Sequence, residues 1–147
     1  AAYYKTKNMT LWDAMIAMYE RYGYYQDGIT AITLKGIEGL EKIGTIMNTL
    51  RADAPKEIGA YQVTAVRDYK NDMITDVATG EVRPTGLPSS NVLYYELTDD
   101  AWVCVRPSGT EPKVKFYFGI KGTSIADAEA KAEAMKEAVN ALVEKML

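Results

Sequence analysis

Apolar residues divide this chain into stretches of helical spacing and stretches of strand alternation. Leu11, Met15, Met18 and Tyr22 recur on one helical face, Thr10 stands at the N-cap with Asp13 as its capping-box partner, and Gly23 stops the run. From Tyr24 to Lys35 aromatic and β-branched residues predict a strand. Ile37, Leu40, Ile43, Met47 and Leu50 then mark a second helix, ended by Ala52, Asp53 and Pro55. Tyr61, Val63, Ala65, Arg67 and Tyr69 alternate with Gln62, Thr64 and Asp68, the period of a strand with one face on a core. Arg67 interrupts that face, as either an edge-strand charge or a contact to another domain, and the edge is the simpler reading.

Residues 71–91 carry Gly80, Pro84, Gly86 and Pro88 and read as an irregular surface connector. Val92 to Leu97 and Ala101 to Val105 predict a hairpin around Asp99-Asp100, with Lys113 to Ile120 as the next antiparallel strand. Ser124, with Asp127 at the capping-box position, opens a long helix whose Ile125, Ala128, Ala132, Met135, Val139, Leu142 and Met146 face inward. The expected order is strand, helix, four strands, helix, behind an extra N-terminal helix. Two helices covering one face of an antiparallel sheet make a two-layer α+β fold.

Composition narrows the class. At 147 residues, 48% hydrophobic and 25% charged, the chain can bury one substantial core, so one domain and a short appendage are expected. A net charge of −3 argues against nucleic acid as a partner. No stretch approaches the length of a membrane span and no signal peptide is visible. The single cysteine, Cys104, lies in an apolar run and reads as a small buried hydrophobe in a protein of the reducing cytoplasm. With no histidine, the chain offers no imidazole base or metal ligand. Ala1-Ala2-Tyr3-Tyr4-Lys5 has neither initiator methionine nor helix-start signal, so the expectation is a fragment excised through a helix. Residues 1–23 would then either pack on a body outside the chain or fold back on their own core.

Candidate chemistry gathers in Arg106-Pro107-Ser108-Gly109-Thr110-Glu111-Pro112, between two strand-like runs. Ser108 and Thr110 offer hydroxyl donors, Gly109 lets the backbone approach closely, and Arg106 brings a planar fork of donors suited to an anion. Pro107 and Pro112 stiffen the shoulders, which lowers the entropy lost on binding. The same residue types also build an ordinary solvated hairpin turn.

The run RPSGTEPKVKFYF, Arg106 to Phe118, resembles the C-terminal phosphate-binding loop of the α-D-phosphohexomutase family, the phosphoglucomutase/phosphomannomutase enzymes. The approach from Leu87 to Leu97 and the earlier run from Gly28 to Gly36 are similar to what precedes that loop in bacterial phosphoglucomutases. The resemblance extends over essentially the whole chain. It implies the family's fourth domain for 24–147, with a TATA-box-binding-protein-like fold that says nothing about DNA. Residues 1–23 would be the helical tail of the third domain. It also implies transfer of phosphate between the 1- and 6-hydroxyls of a hexose through a bisphosphorylated intermediate. A phosphoserine, Mg²⁺ and glucose 1,6-bisphosphate would serve the full-length enzyme, with serine and metal site in domains absent here. By position in the motif, Arg106, Ser108, Gly109 and Thr110 would hold the non-reacting phosphate, with Lys115 a further cation where some relatives have Arg. Lys113 is a rim residue on the same strand face, and Glu111 is expected to turn away and pair with a nearby base. The chain alone is expected to be inactive, its partners being a hexose phosphate and the missing N-terminal domains. From another class, a free-standing phosphate- or phosphopeptide-binding module fits the same loop, and so does a structural domain whose loop is only a turn.

Overall fold

β-Branched and aromatic residues alternate with polar ones along the strands, and this lets one face of the sheet turn to a core while the other stays open. The computed structural model describes residues 2–147, and Ala1 of the opening run lies outside the described residues. In chain order the elements are α1 (Ala2–Thr6), α2 (Leu11–Tyr22), β1 (Tyr24–Thr33), α3 (Ile37–Ala52), β2 (Glu57–Ile58), β3 (Tyr61–Asp68), β4 (Met73–Asp76), β5 (Val82–Arg83), β6 (Leu93–Leu97), β7 (Trp102–Pro107), β8 (Lys113–Gly122) and α4 (Ile125–Glu144). The described strands form an eight-stranded antiparallel sheet in the order β1-β8-β7-β6-β3-β4-β5, with β2 paired to β3. Helices α3 and α4 cover one face, giving the two-layer α+β architecture expected from the pattern.

The core lies between that face and the two helices. Val114, Phe116, Phe118 and Ile120 of β8 meet Leu93, Tyr95, Val103 and Val105 of the neighbouring strands, Ile43, Ile46, Met47 and Leu50 of α3, and Ala132, Met135, Val139 and Val143 of α4. Gly28 explains how β1 fits here. It pairs with Phe118, and a Cβ at this position would stand 2.3 Å from that ring's Cζ. The buried Tyr95 donates its hydroxyl to the Leu50 carbonyl at 3.0 Å, and burial raises its pKa. The end of α3 is tied to β3 by Arg51, whose Nε donates to both Asp68 oxygens at 3.0 and 3.1 Å. At the β6–β7 turn Asp99 and Asp100 both take left-handed φ values, 57° and 58°, as a type I′ hairpin requires.

Arg67 is not an edge charge. Val63 pairs with Leu97 but Ala65 pairs with Glu96, so a bulge at Thr64 shifts the register. The extra residue donates its hydroxyl to the Glu96 carbonyl at 3.1 Å, and beyond it Val66 and Asp68 face the helices while Arg67 faces the open side. β3 lies inside the sheet, between β6 and β4. Arg67 forms an ion pair with Glu96 and sits 5.4 Å from the centre of the Tyr94 ring.

The stretch 71–91 is also more ordered than an irregular connector, because it contains the β4–β5 hairpin. Its turns are held by carboxylates: Asp76 accepts the Thr79 N–H at 2.9 Å, and Asp72 accepts the Thr85 hydroxyl at 2.6 Å and the Thr85 and Gly86 N–H groups. These bonds lower both carboxyl pKa values, the Thr85 hydroxyl leading at Asp72 and the Thr79 N–H at Asp76. Helix faces are partly shifted as well. Ile37, Leu40 and Ile125 are exposed, while Ile46 and Val143 are buried.

Helix α2 carries the full Thr10–Asp13 capping box, yet none of its residues is buried. Leu11, Trp12, Met18 and Tyr22 are each at least 50% exposed, so its apolar side does not fold back onto the core. Tyr19 stacks on Tyr24 of β1 with ring centres 5.5 Å apart.

Candidate anion site

β7 and β8 present the site because Arg106 and Lys115 are direct cross-strand partners on the open face of the sheet. Five residues connect the strands. Ser108 N–H donates to the Lys113 carbonyl and Lys113 N–H to the Glu111 carbonyl, both at 2.7 Å, which closes the loop. Leu34 N–H donates to the Pro112 carbonyl at 2.8 Å and ties the loop to the segment after β1. The Ser108 hydroxyl oxygen accepts the Thr110 and Glu111 N–H groups at 3.4 and 3.3 Å, which leaves its own hydrogen free to donate outward.

Among the described residues, neither Arg106 nor Lys115 forms an ion pair with a carboxylate. Glu111, the one acid of the loop, turns to Lys113, with its carboxylate 3.8 Å from Nζ. Two like charges opposite each other on a sheet repel, which an anion between them would relieve. The hairpin borders an open concavity of about 220 Å³ lined by Arg106, Pro107, Ser108, Gly109, Lys115 and Tyr117. Arg106 also acts on its strand neighbour: burial raises the Cys104 thiol pKa, and the guanidinium partly offsets the rise.

The structure therefore brings together Arg106, Ser108, Gly109 and Lys115, while Thr110 stands exposed on the rim. Another hollow, lined by Ile58, Tyr61, Asp99, Lys131 and Met135 among others, holds a cation too. There Lys131 is already paired with Asp127 at 3.0 Å, so it offers an anion no unneutralised charge.

Residues 47–140 match the sequence profile of the phosphoglucomutase/phosphomannomutase C-terminal domain. The chain is 35% identical over 131 residues to a phosphoglucomutase of Staphylococcus aureus, strain bovine RF122 / ET3-1, an alignment covering 89% of the chain and 24% of that relative. The chain belongs to the phosphoglucomutase/phosphomannomutase family. The phosphoglucomutase of Staphylococcus aureus strain USA300 is 34% identical over the same share of both chains. The open-form crystal structure of the exocytosis-sensitive phosphoprotein pp63/parafusin, a Paramecium phosphoglucomutase, aligns with 97% of this chain and 25% of its own at a TM-score of 0.48 and 10% identity. The chain spans about a quarter of the length of the curated relatives it matches.

The loop lies inside the matched residues, as does Tyr117, which the reading of the motif left out. Strand alternation was the signal for it. The period that puts Lys113 and Lys115 on the open face puts Tyr117 there too. The Mg²⁺ implied by the resemblance finds no fitting donor set here: the described residues contain no cluster of three or more His, Cys, Asp or Glu that could hold a metal. No helix among them is long and apolar enough to cross a membrane.

Proposed function

We propose that this chain is the C-terminal domain of a cytoplasmic phosphohexomutase and that its β7–β8 hairpin holds the non-reacting phosphate of a hexose phosphate. The opposed Arg106–Lys115 pair, two cations without a carboxylate between them, carries the reading. Arg106 supplies a bidentate fork and Lys115 a point charge. Ser108 adds a hydroxyl donor, Gly109 a backbone N–H on an unobstructed loop, and Thr110 a hydroxyl at the rim. None of these groups reads the carbon that bears the phosphate. That suits an intermediate that turns end for end between half-reactions. Closure of the domain over the sugar then excludes water from the reacting end. The phosphoserine and the Mg²⁺ site belong to domains beyond this chain, and the exposed apolar side of α2 is the tail of the preceding domain, 1–23, seated on that body.

Titrating the isotope-labelled chain with inorganic phosphate at fixed ionic strength is expected to move the amide resonances of Ser108, Gly109, Thr110 and Lys115. A dissociation constant on the order of millimolar is expected, since exposed charge pairs contribute modestly. If these amides stay still while others move, the loop is not the site. Given glucose 1-phosphate, glucose 1,6-bisphosphate and Mg²⁺, the chain alone is expected to form no glucose 6-phosphate above a blank. Turnover that follows the chain through purification would overturn the domain assignment.

A further inference from the structure

The open face of the sheet changes character one row away from the cations. Lys115 lies between Ala31 of β1 and Arg106 of β7, a cationic row. Two residues further along β8, Tyr117 lies between Ile29 and Cys104, a row of apolar and weakly polar groups. The rows are separated by roughly 7 Å, twice the rise per residue of a strand. Tyr117 is half-buried and forms one wall of the concavity that Arg106, Ser108 and Lys115 line. Its hydroxyl has no hydrogen-bond partner among the described residues, and Ile29 beside it is 49% exposed. The concavity is open to solvent, and its lining runs from the cations on to Tyr117.

A phosphate seated on the cationic row therefore has an aromatic wall beside it. We propose that Tyr117 is a specificity residue that receives the carbon skeleton of a sugar phosphate, so that the site prefers a phosphate ester to free phosphate. This rests on the reading of the loop as a phosphate site and adds what lies next to the phosphate. The chemistry is that of an amphipathic ring: its face packs against the C–H face of a sugar, and its hydroxyl rim can meet a sugar hydroxyl. Arg106 and Lys115, one row away, meet the phosphate through their charged ends. Preference for the ester then comes from Tyr117, while the anchor common to both ligands stays with Arg106 and Lys115.

The test compares inorganic phosphate with glucose 6-phosphate at fixed ionic strength and pH, reading the loop amides. The parent chain is expected to bind glucose 6-phosphate about five- to tenfold more tightly than phosphate. Tyr117→Ala should lose about five- to tenfold for glucose 6-phosphate and about twofold or less for phosphate, bringing the two constants together. Tyr117→Phe keeps the ring and should retain at least half of the preference. Equal constants in the parent, an unchanged preference in Tyr117→Ala, or an equal loss for both ligands would overturn the assignment. If Tyr117→Ala does not fold, Tyr117→Phe decides, because loss of its preference would mean that the ring face is not the contact. Failure of inorganic phosphate to move the loop, with glucose 6-phosphate still doing so through Tyr117, would overturn the phosphate reading alone. Silence with both ligands would overturn both.

Discussion

Arg106→Ala is expected to weaken phosphate binding by roughly 10- to 150-fold, the loss of charge-assisted hydrogen bonds worth about 1.5–3 kcal/mol. The fold should not suffer. Arg106 is exposed and has no ion-pair partner among the described residues. Its removal also ends the cross-strand repulsion with Lys115, a term of about 0.2–1 kcal/mol, so stability should hold or rise slightly while affinity falls. Opposite signs for binding and stability are what a site residue gives and a structural residue does not. Arg106→Lys should recover only part of the loss, since an ammonium keeps the charge but not the bidentate fork. Phosphate titrations followed by the loop amides, with urea unfolding of the same samples, measure both quantities. An Arg106→Ala chain that titrates like the parent would remove the loop from the phosphate reading.

Phe118→Ala should lower the unfolding free energy by about 3–5 kcal/mol, the range for emptying a core aromatic position. The ring is 0% exposed, at the centre of β8, and occupies the room that Gly28 leaves on β1. Gly28→Ala attacks the same contact from the other side. Its new methyl group would stand 2.3 and 2.6 Å from two ring carbons of a side chain with nowhere to move, so overpacking of about 1–3 kcal/mol is expected. Against a total stability of about 5–15 kcal/mol, the larger loss would leave the chain close to unfolding at room temperature. Guanidinium unfolding midpoints at unchanged m-value test both variants. A Phe118→Ala chain within about 1 kcal/mol of the parent would show that this contact does not hold β1 to β8.

Some of the site was legible because it depends on local rules. Strand alternation sends Lys113 and Lys115 to one face and Val114 and Phe116 to the other, and the structure keeps that division. The same rule reaches Tyr117, which lies in the motif run but was given no role there. That Glu111 turns away was expected only from its place in the motif, and the structure names its partner, Lys113. That Arg106 stands opposite Lys115 is different in kind, because it depends on the register of two strands joined by a closed loop.

By itself the sequence determined the order and type of the main elements, the helix starts at Thr10 and Ser124, the Asp99-Asp100 turn and the hairpin that holds the candidate site. All of these rest on propensities and spacings within a few residues, where the chain's own covalent geometry sets the outcome. Only the tertiary structure decided which way Arg67 faces. An extra residue at Thr64 reverses the alternation, and one inserted residue in a strand turns every later side chain to the opposite face. It likewise decided that residues 73–83 add two strands beyond β3, that Ile37 and Leu40 stay in solvent, and that Gly28 answers to a ring 90 positions later in the chain. Those outcomes depend on which distant surfaces meet, and apolar burial is non-directional, so the local pattern names the residues that want cover without naming what covers them.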